Sequence, residues 1–586
     1  MNGAEIDDTR DNENANTTKQ SRKVLEGFKR CSDSNMWKLM MDFYDEKGIN
    51  SWAKGIVPSF VTSNAFIGRS YAKIIAGYIS DLCSSTSATP MDPNEKFYIV
   101  ELGGGSGKLA FYILKALDRI RDRLDFPIDK IVYVLTDFTQ SNVSFWEQHS
   151  GLKPFVESGR LDFAQFEAVH DDALHLRVSG KVLGKNTVKN PICIVANYLI
   201  DTLCHDIFQI EDGVLKEGLV SVGTRGASGD DMMTVMGTIG DNKYRYQPIE
   251  SCQDYYANFD NPTDPGDSVH LSRILEWYKN YFVAGEEVDA TVSSGASLLM
   301  PIGFLKAIRN LSDLSNGRRA IIIGGDKGAS NPNRFRGLSD PHIAFHGSFS
   351  MMVNFHAIKL YCISRGGFAL MDNQEEASLM VNAFVLTGEE DTSTNDVIGS
   401  NGERQSKYRY LCNAFEDNVN SFSPNDFYLM QRALKEESSK PTLASIVSLL
   451  KLSNWDTEIF FKFRDNILAE IPRATHGLRN DLERGAKRIW DQYYHLENEK
   501  DVAFELGRLL FGLHYFEQSL EFYQLSLDLF GFHHVTHHNQ GLCNSSLNKY
   551  DAAAICFKKS LELKPDYEKA AIWLEKVKEA QISSLD

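Results

Sequence analysis

The sequence predicts an α/β protein, a doubly wound and mostly parallel sheet covered by helices, carrying an antiparallel β insertion and followed by an all-α domain. Three observations carry that prediction. Short apolar runs at 97–102, 131–136, 161–166, 192–196 and 319–324 are mostly separated by helical or loop segments, as expected of parallel strands buried on both faces. Between 207 and 249 the pattern changes to short alternating segments broken by Asp212-Gly213 and Gly240-Asp241-Asn242, which read as hairpins. Beyond residue 407 the chain reads as wholly helical.

Taken in order, residues 1–22 are polar, acidic and nearly free of aliphatics, the composition of a disordered tail. Residues 23–95 read as an N-terminal helical segment: apolar residues recur at helical intervals from Val24 to Tyr44, and "SFVTSNAFIGRSYAKIIAGYISDL" runs from a loop into a helix. The α/β domain is assigned to 96–386, with the insertion at 207–249 and strand candidates at 366–371 and 378–386 closing the sheet edge. Residues 387–407 read as a polar linker, and 408–500 as helices expected to pack against the region 501–586. In that last region Gly507, Ser519, Tyr523 and Ser526 recur 34 residues later as Gly541, Ala553, Phe557 and Ser560. The spacing resembles the tetratricopeptide (TPR) repeat, in which small residues let two helices approach and an aromatic ring fills the gap. The resemblance implies a surface that recruits a protein partner or substrate. His533, His534, His537 and His538 form two i, i+4 pairs there. With no carboxylate or cysteine alongside, they read as a solvated helix end rather than a metal site.

At 586 residues the chain is long enough for two or three domains. A formal net charge of −17 repels polyanions, which disfavours nucleic acid and favours a basic peptide or protein. Nine scattered cysteines without a CxxC pair suit free thiols in a reducing compartment. No run of 18 apolar residues and no signal-peptide core is present, so no membrane association is expected. The acidity of the first twenty residues argues against a mitochondrial presequence, and a cytoplasmic location is the expectation.

The chemistry is concentrated in "FYIVELGGGSGKLAFYIL", residues 97–114, where glycines punctuate a strand-to-helix turn. Such a turn brings bare backbone and a helix N-terminus to a polar ligand. A P-loop requires glycine where Leu102 stands and Ser or Thr where Leu109 stands; a dinucleotide fingerprint requires glycine in place of Lys108. What remains, Glu101-x-Gly103-x-Gly105-x-Gly107, resembles the first motif of class I S-adenosylmethionine (SAM) methyltransferases. That resemblance implies a Rossmann-like sheet and SAM as cofactor. It also implies an acidic residue for the ribose hydroxyls, for which Asp137 at the end of "IVYVLT" is the candidate. Helix capping is the competing role for Asp137. Asp162 with Phe163 is the candidate pair for the adenine. In "ANYLIDTLCHDIFQIEDG", Asn197 and Asp201 follow an apolar strand and would face the methyl donor, although either can also cap the next helix.

The order of segments is similar to the MidA family, SAM-dependent methyltransferases related to the mitochondrial complex I assembly-factor arginine methyltransferase. Phe60, Thr62, Ser63 and Gly68 match its Phe-x-Thr-Ser…Phe-Gly segment, "VELGGGSGKLAFYIL" its glycine loop, and "VANYLIDTLCHDIFQI" its Ala-Asn-Glu-x-x-Asp-x-Leu-Pro segment. "IIIGGDKG" resembles its Asp-Tyr-Gly element, and "GSFSMMVNFHAI" its late segment. Three departures stand out: Tyr198 replaces the family Glu, the Pro after Leu203 is missing, and Lys327 replaces the Tyr of Asp-Tyr-Gly. If that Glu orients a substrate nitrogen, Asp201, Asp206 or Glu211 must substitute for it, or the target differs. The resemblance implies methyl transfer to a protein, including arginine nitrogen, with Asp201 nearest the nucleophile. The alternatives are a catalytically silent SAM-binding scaffold acting through its TPR-like array, and a small-molecule methyltransferase.

Overall fold

The computed structural model describes residues 22–53, 56, 60–85, 87–224, 241–257, 267–283, 295–345, 348–375, 377–388, 401–436, 440–496 and 500–583. Residues 1–21 of the tail expected at 1–22, Gly240 of the second hairpin and linker residues 389–400 lie outside them. After α1 (Met36–Lys47), α2 (Asn50–Ala53) and α3 (Ala65–Cys83) the chain enters a central sheet. Its strands are β1 (Phe97–Leu102), β2 (Ile131–Asp137), β3 (Leu161–Gln165), β4 (Ile192–Asn197), β5 (Ala320–Asp326), β6 (Phe368–Leu370) and β7 (Met380–Leu386), in the spatial order β6-β7-β5-β4-β1-β2-β3. The β1–β5 neighbours pair in parallel, and β7 runs antiparallel to both β5 and β6. Helices α4 (Lys108–Arg119) and α5 (Gln140–Gln148) follow β1 and β2. Because β2 lies on one side of β1 and β4 on the other, the chain reverses its winding beside β1. Ligands enter such sheets at that crevice, beyond the strands' carboxyl ends.

The insertion forms its own antiparallel sheet of Lys243–Pro248, Val214–Ser221, Asp206–Glu211 and Ala296–Met300, extending past the boundary expected at 249. Asp212 and Gly213 take φ of 51° and 75°, the two positive values that a tight two-residue hairpin turn requires. The N-terminal segment departs from its expected helical character. Lys23–Val24 pairs with Gly223–Thr224 and Lys29–Arg30 with Leu219–Val220, and after a single 3-10 turn at Cys31–Asp33 the α-helix begins only at Met36. Val24, Leu25 and Phe28 are exposed, which left the apolar spacing with no core to face. Arg30 meets Glu217 at 3.1 Å, tying this segment to the insertion.

The end of the presumed linker is ordered. Residues Asn401–Gln405 are helical and cover the sheet edge: Asn401 accepts from the Ala369 amide, and Gln405 donates to the Ala369 carbonyl. An edge strand left bare would offer unpaired backbone to other chains. The helices that follow pack on the sheet domain as well as on the repeats. Asp81 of α3 accepts from the Tyr410 and Leu411 amides, Asp456 accepts from the Ala65 amide, and the rings of Phe66 and Phe427 stack at 4.6 Å. At the C-terminus two helix pairs, Val502–Gly512 with Phe516–Phe530 and His534–Ser546 with Tyr550–Leu563, are followed by Glu568–Ser583. A Cβ on Gly507 would lie 2.6 Å from the Tyr523 ring, and one on Gly541 2.6 Å from that of Phe557, so the repeat period is a close-approach requirement. The histidine cluster is solvated only at its start, where His533 is exposed and His534 half-buried. His537 and His538 are buried, the first bonded to Gln540 and the second packed between Phe557 and Tyr567.

Candidate functional site

At the carboxyl end of β1 the chain turns through Gly103, Gly105 and Gly107 with φ of 62°, 52° and 76°. These left-handed values are open to glycine at little cost and strained for other residues. The loop is pinned on its packed side. Gly104 donates to the Thr136 carbonyl and Gly107 to that of Gly104, and Trp146 donates its indole N–H to the Gly105 carbonyl at 2.9 Å. Lys108, buried at the start of α4, pairs with Glu458, so its charge is directed to the C-terminal helices and not to a bound phosphate.

Over this loop lies a cleft lined by Tyr44, Trp52, Thr62, Ser63, Glu101, Gly103 to Ser106, Leu109, Asp137, Phe138, Asn142, Asn197 to Leu199 and Thr202. A Cβ at Gly103 would meet Leu199 at 2.7 Å and one at Gly105 would meet Trp52 at 2.6 Å, so the loop is a cradle that side chains would fill. Glu101 is buried in the wall with its carboxyl accepting from Tyr133 at 2.7 Å. Burial dominates its titration and pushes it up to about 8, with the nearby Asp137 charge adding to the effect and the Tyr133 bond opposing it.

Asp137 ends β2 beside the loop. One oxygen accepts from the Gly105 amide and Asn142 at 3.1 Å each, the other from the amide and hydroxyl of Thr139 at 3.0 Å each. Burial raises its titration point and these four bonds oppose the rise. The carboxylate thus holds the loop and the approach to α5 together. The side-chain oxygen of Asn142 is buried without a partner, and the residue lines the cleft beside Asp137. Sequence reading passed over Asn142, although it lies in the same "TDFTQSN" as Asp137.

Asp162 and Phe163 are not brought into the cleft. Asp162 accepts from the amides of Phe163, Val178 and Ser179, and Phe163 is buried against Trp146. The strand runs on to Gln165, and its carboxyl end therefore presents Phe166, Glu167 and Ala168. These line a second, more apolar cavity with Trp37, Met40 and Met41, which shares Tyr44, Gly103, Phe138, Leu199 and Thr202 with the first.

At the opposite end of the cleft, Asn197 donates to the Thr62 carbonyl at 2.6 Å and accepts from the Tyr71 hydroxyl at 2.7 Å. Tyr198 takes φ of 52°, its amide donating to the Gly325 carbonyl and its hydroxyl to that of Ser378. Asp201 lies behind the cleft wall, buried, and its amide donates to Asp326 at 3.1 Å. Burial raises Asp201 to about 7, and burial together with the neighbouring Asp201 raises Asp326 further, so the proton the pair shares rests on Asp326 first. One Asp201 oxygen has no partner. The other two of the three suggested substitutes lie elsewhere: Asp206 accepts from Ser32 and Tyr256, and Glu211 pairs with Lys216 within the insertion sheet. Among the described residues no group of His, Cys, Asp and Glu could hold a metal ion, and no helix is long and apolar enough to cross a membrane.

Residues 75–300 match a family described as "Putative S-adenosyl-L-methionine-dependent methyltransferase", and residues 535–567 match the tetratricopeptide repeat. No curated protein matches the chain. Two solved structures from Burkholderia thailandensis are similar at 12% identity. One, of an uncharacterized protein, has a TM-score of 0.33, with 62% of this chain and 95% of the other covered. The other, of a "likely methyl transferase" bound to S-adenosyl-homocysteine, has a TM-score of 0.37, with coverages of 64% and 91%.

Proposed function

We propose that the chain is an S-adenosyl-L-methionine-dependent methyltransferase, as the family match over residues 75–300 supports, and that it methylates a protein, with its TPR helices recruiting the target. The observation that carries the site assignment is the convergence of the left-handed glycine turn, the buried Glu101 and the unpartnered Asn142 oxygen on one cleft that ends at Asn197. Bound SAM supplies a methyl carbon attached to a sulfonium, open to in-line displacement by a nucleophile. Gly103 and Gly105 would let the backbone approach the donor's amino-acid moiety, with Glu101 beside its cationic groups, while Gly107, which does not line the cleft, lets the loop pack against Tyr494 and Trp146. Asp137 fixes the loop and the position of Asn142, which receives the ribose. Phe166 and Ala168, with Phe138, provide the apolar slot for the adenine in place of Asp162 and Phe163.

The acceptor enters at Thr62, Ser63, Asn197 and Tyr198. In-line transfer depends mainly on alignment and exclusion of water, and Asn197, held from two sides, is a rigid element of that end. An arginine acceptor stays protonated in water and needs a carboxylate nearby to take its charge. Asp201, which sits behind the cleft wall beside Asp326 and keeps one oxygen without a partner, is the residue we assign to that task, acting on the acceptor from behind Asn197 and Tyr198. Tyr198, whose hydroxyl is already engaged where the related family has Glu, favours the silent-scaffold reading. Incubation with radiolabelled SAM and a proteome extract separates the readings: a labelled protein band supports protein methylation, a labelled small molecule redirects it, and no transfer leaves a SAM-binding scaffold. Asp201→Asn is expected to leave SAM affinity within about two-fold while transfer falls by two orders of magnitude or more, as for a group acting mainly in the transition state.

A further inference from the structure

The glycine loop is also held from outside the matched segment, by Tyr494, which follows helix His476–Asp491 and precedes the first repeat pair. Its hydroxyl donates to the Ser106 carbonyl at 2.6 Å, across 388 residues of sequence. The residue is 2% exposed, and its ring stacks on His149 at 4.0 Å and 12°. His149 is in turn bonded to the His495 carbonyl at 2.7 Å, and the Tyr494 ring also packs on Phe111 of α4. The hydroxyl lies 3.0 Å from where a Cβ of Gly107 would stand, so tyrosine and glycine are fitted to each other.

In a trans peptide the N–H points away from the C=O. Trp146 on the Gly105 carbonyl and Tyr494 on the Ser106 carbonyl therefore fix the orientation of both peptide planes in the second half of the loop. Glycines on either side of Ser106 give those planes wide freedom to rotate once a bond is lost. We infer that Tyr494 is a positioning residue for the cofactor, so that the C-terminal helical region completes the donor site in addition to any partner it recruits. This rests on the SAM-binding reading above.

The test uses the full chain and its Tyr494→Phe variant, which removes the hydroxyl and keeps the ring on His149. Calorimetry with SAM is expected to show affinity about ten-fold weaker in the variant, the size of effect given by one buried hydrogen bond. The melting temperature should fall by no more than about 2 °C, and turnover at saturating SAM should stay within about two-fold. Amide exchange in residues 103–108 should quicken while exchange elsewhere stays the same. Equal SAM affinity in variant and parent would overturn the inference, as would a lowered melting temperature with unchanged affinity, since that is what packing alone gives. Failure of the parent itself to bind SAM would overturn the cofactor reading and this inference with it.

Discussion

Gly105 tolerates no side chain for two independent reasons: its φ of 52° and the Trp52 ring 2.6 Å from any Cβ. Gly105→Val is therefore expected to abolish measurable SAM binding in calorimetry while circular dichroism still reports a folded sheet; unchanged affinity would remove the loop from the site. Glu101 gives a prediction in pH. Burial pushes its carboxyl up to about 8, so it is mostly protonated at pH 7 in the free protein. A cationic ligand beside it favours the ionised form, so binding must release a proton, and by linkage affinity rises with pH until the free carboxyl itself ionises near 8. Binding enthalpies measured at pH 7 in buffers of different ionisation heat should show about one proton released per site. Glu101→Gln should bind with no such release.

Among the elements, the helices after Asn401 determine what a truncated chain would do. Leu411, Phe415, Val419, Tyr494 and Leu496 share a core with α3, α4 and β1, and Phe66 of α3 is buried among Phe427, Ile446 and Phe463. Each such large apolar side chain loses about 1.5–3 kcal/mol when exposed. A chain ending after residue 400 is thus expected to aggregate or to melt far below the full protein, measured by scanning calorimetry, rather than to persist as an independent core. The linker reading of 387–407 pointed the other way because polar composition reports solvent exposure and says nothing of what packs on either side. The glycine turn, Asp137 and Asn197 were legible because each stands at the end of a strand whose apolar run ends with it. Phe166 and Ala168 were hidden because the end of β3 is set by its pairing with β2, Tyr133 opposite Leu161 through Asp137 opposite Gln165, and not by its own residues. Tyr494 leaves no local signal at all, since its partner is 388 residues away.

For the molecule as a whole, the net charge of −17 makes its field a factor in meeting a basic target. Transfer to a basic acceptor measured below saturation should slow several-fold between about 0.05 and 0.3 M salt, as the Debye length shrinks below about 10 Å, and a neutral acceptor should show no such trend. The contact between Tyr494 and Ser106 also has a consequence in time. A ribosome adds about 5–20 residues per second, so the loop exists for roughly 20–80 s before the tyrosine that holds it has been made. Through that interval a growing chain, or one released early by a truncated message, presents the glycine turn without its clamp and without the helices that cover α3. Nascent chains stalled before Tyr494 should thus take up SAM poorly compared with chains stalled well beyond it. Cofactor would then be drawn only by molecules whose synthesis has passed the point of commitment to the complete fold.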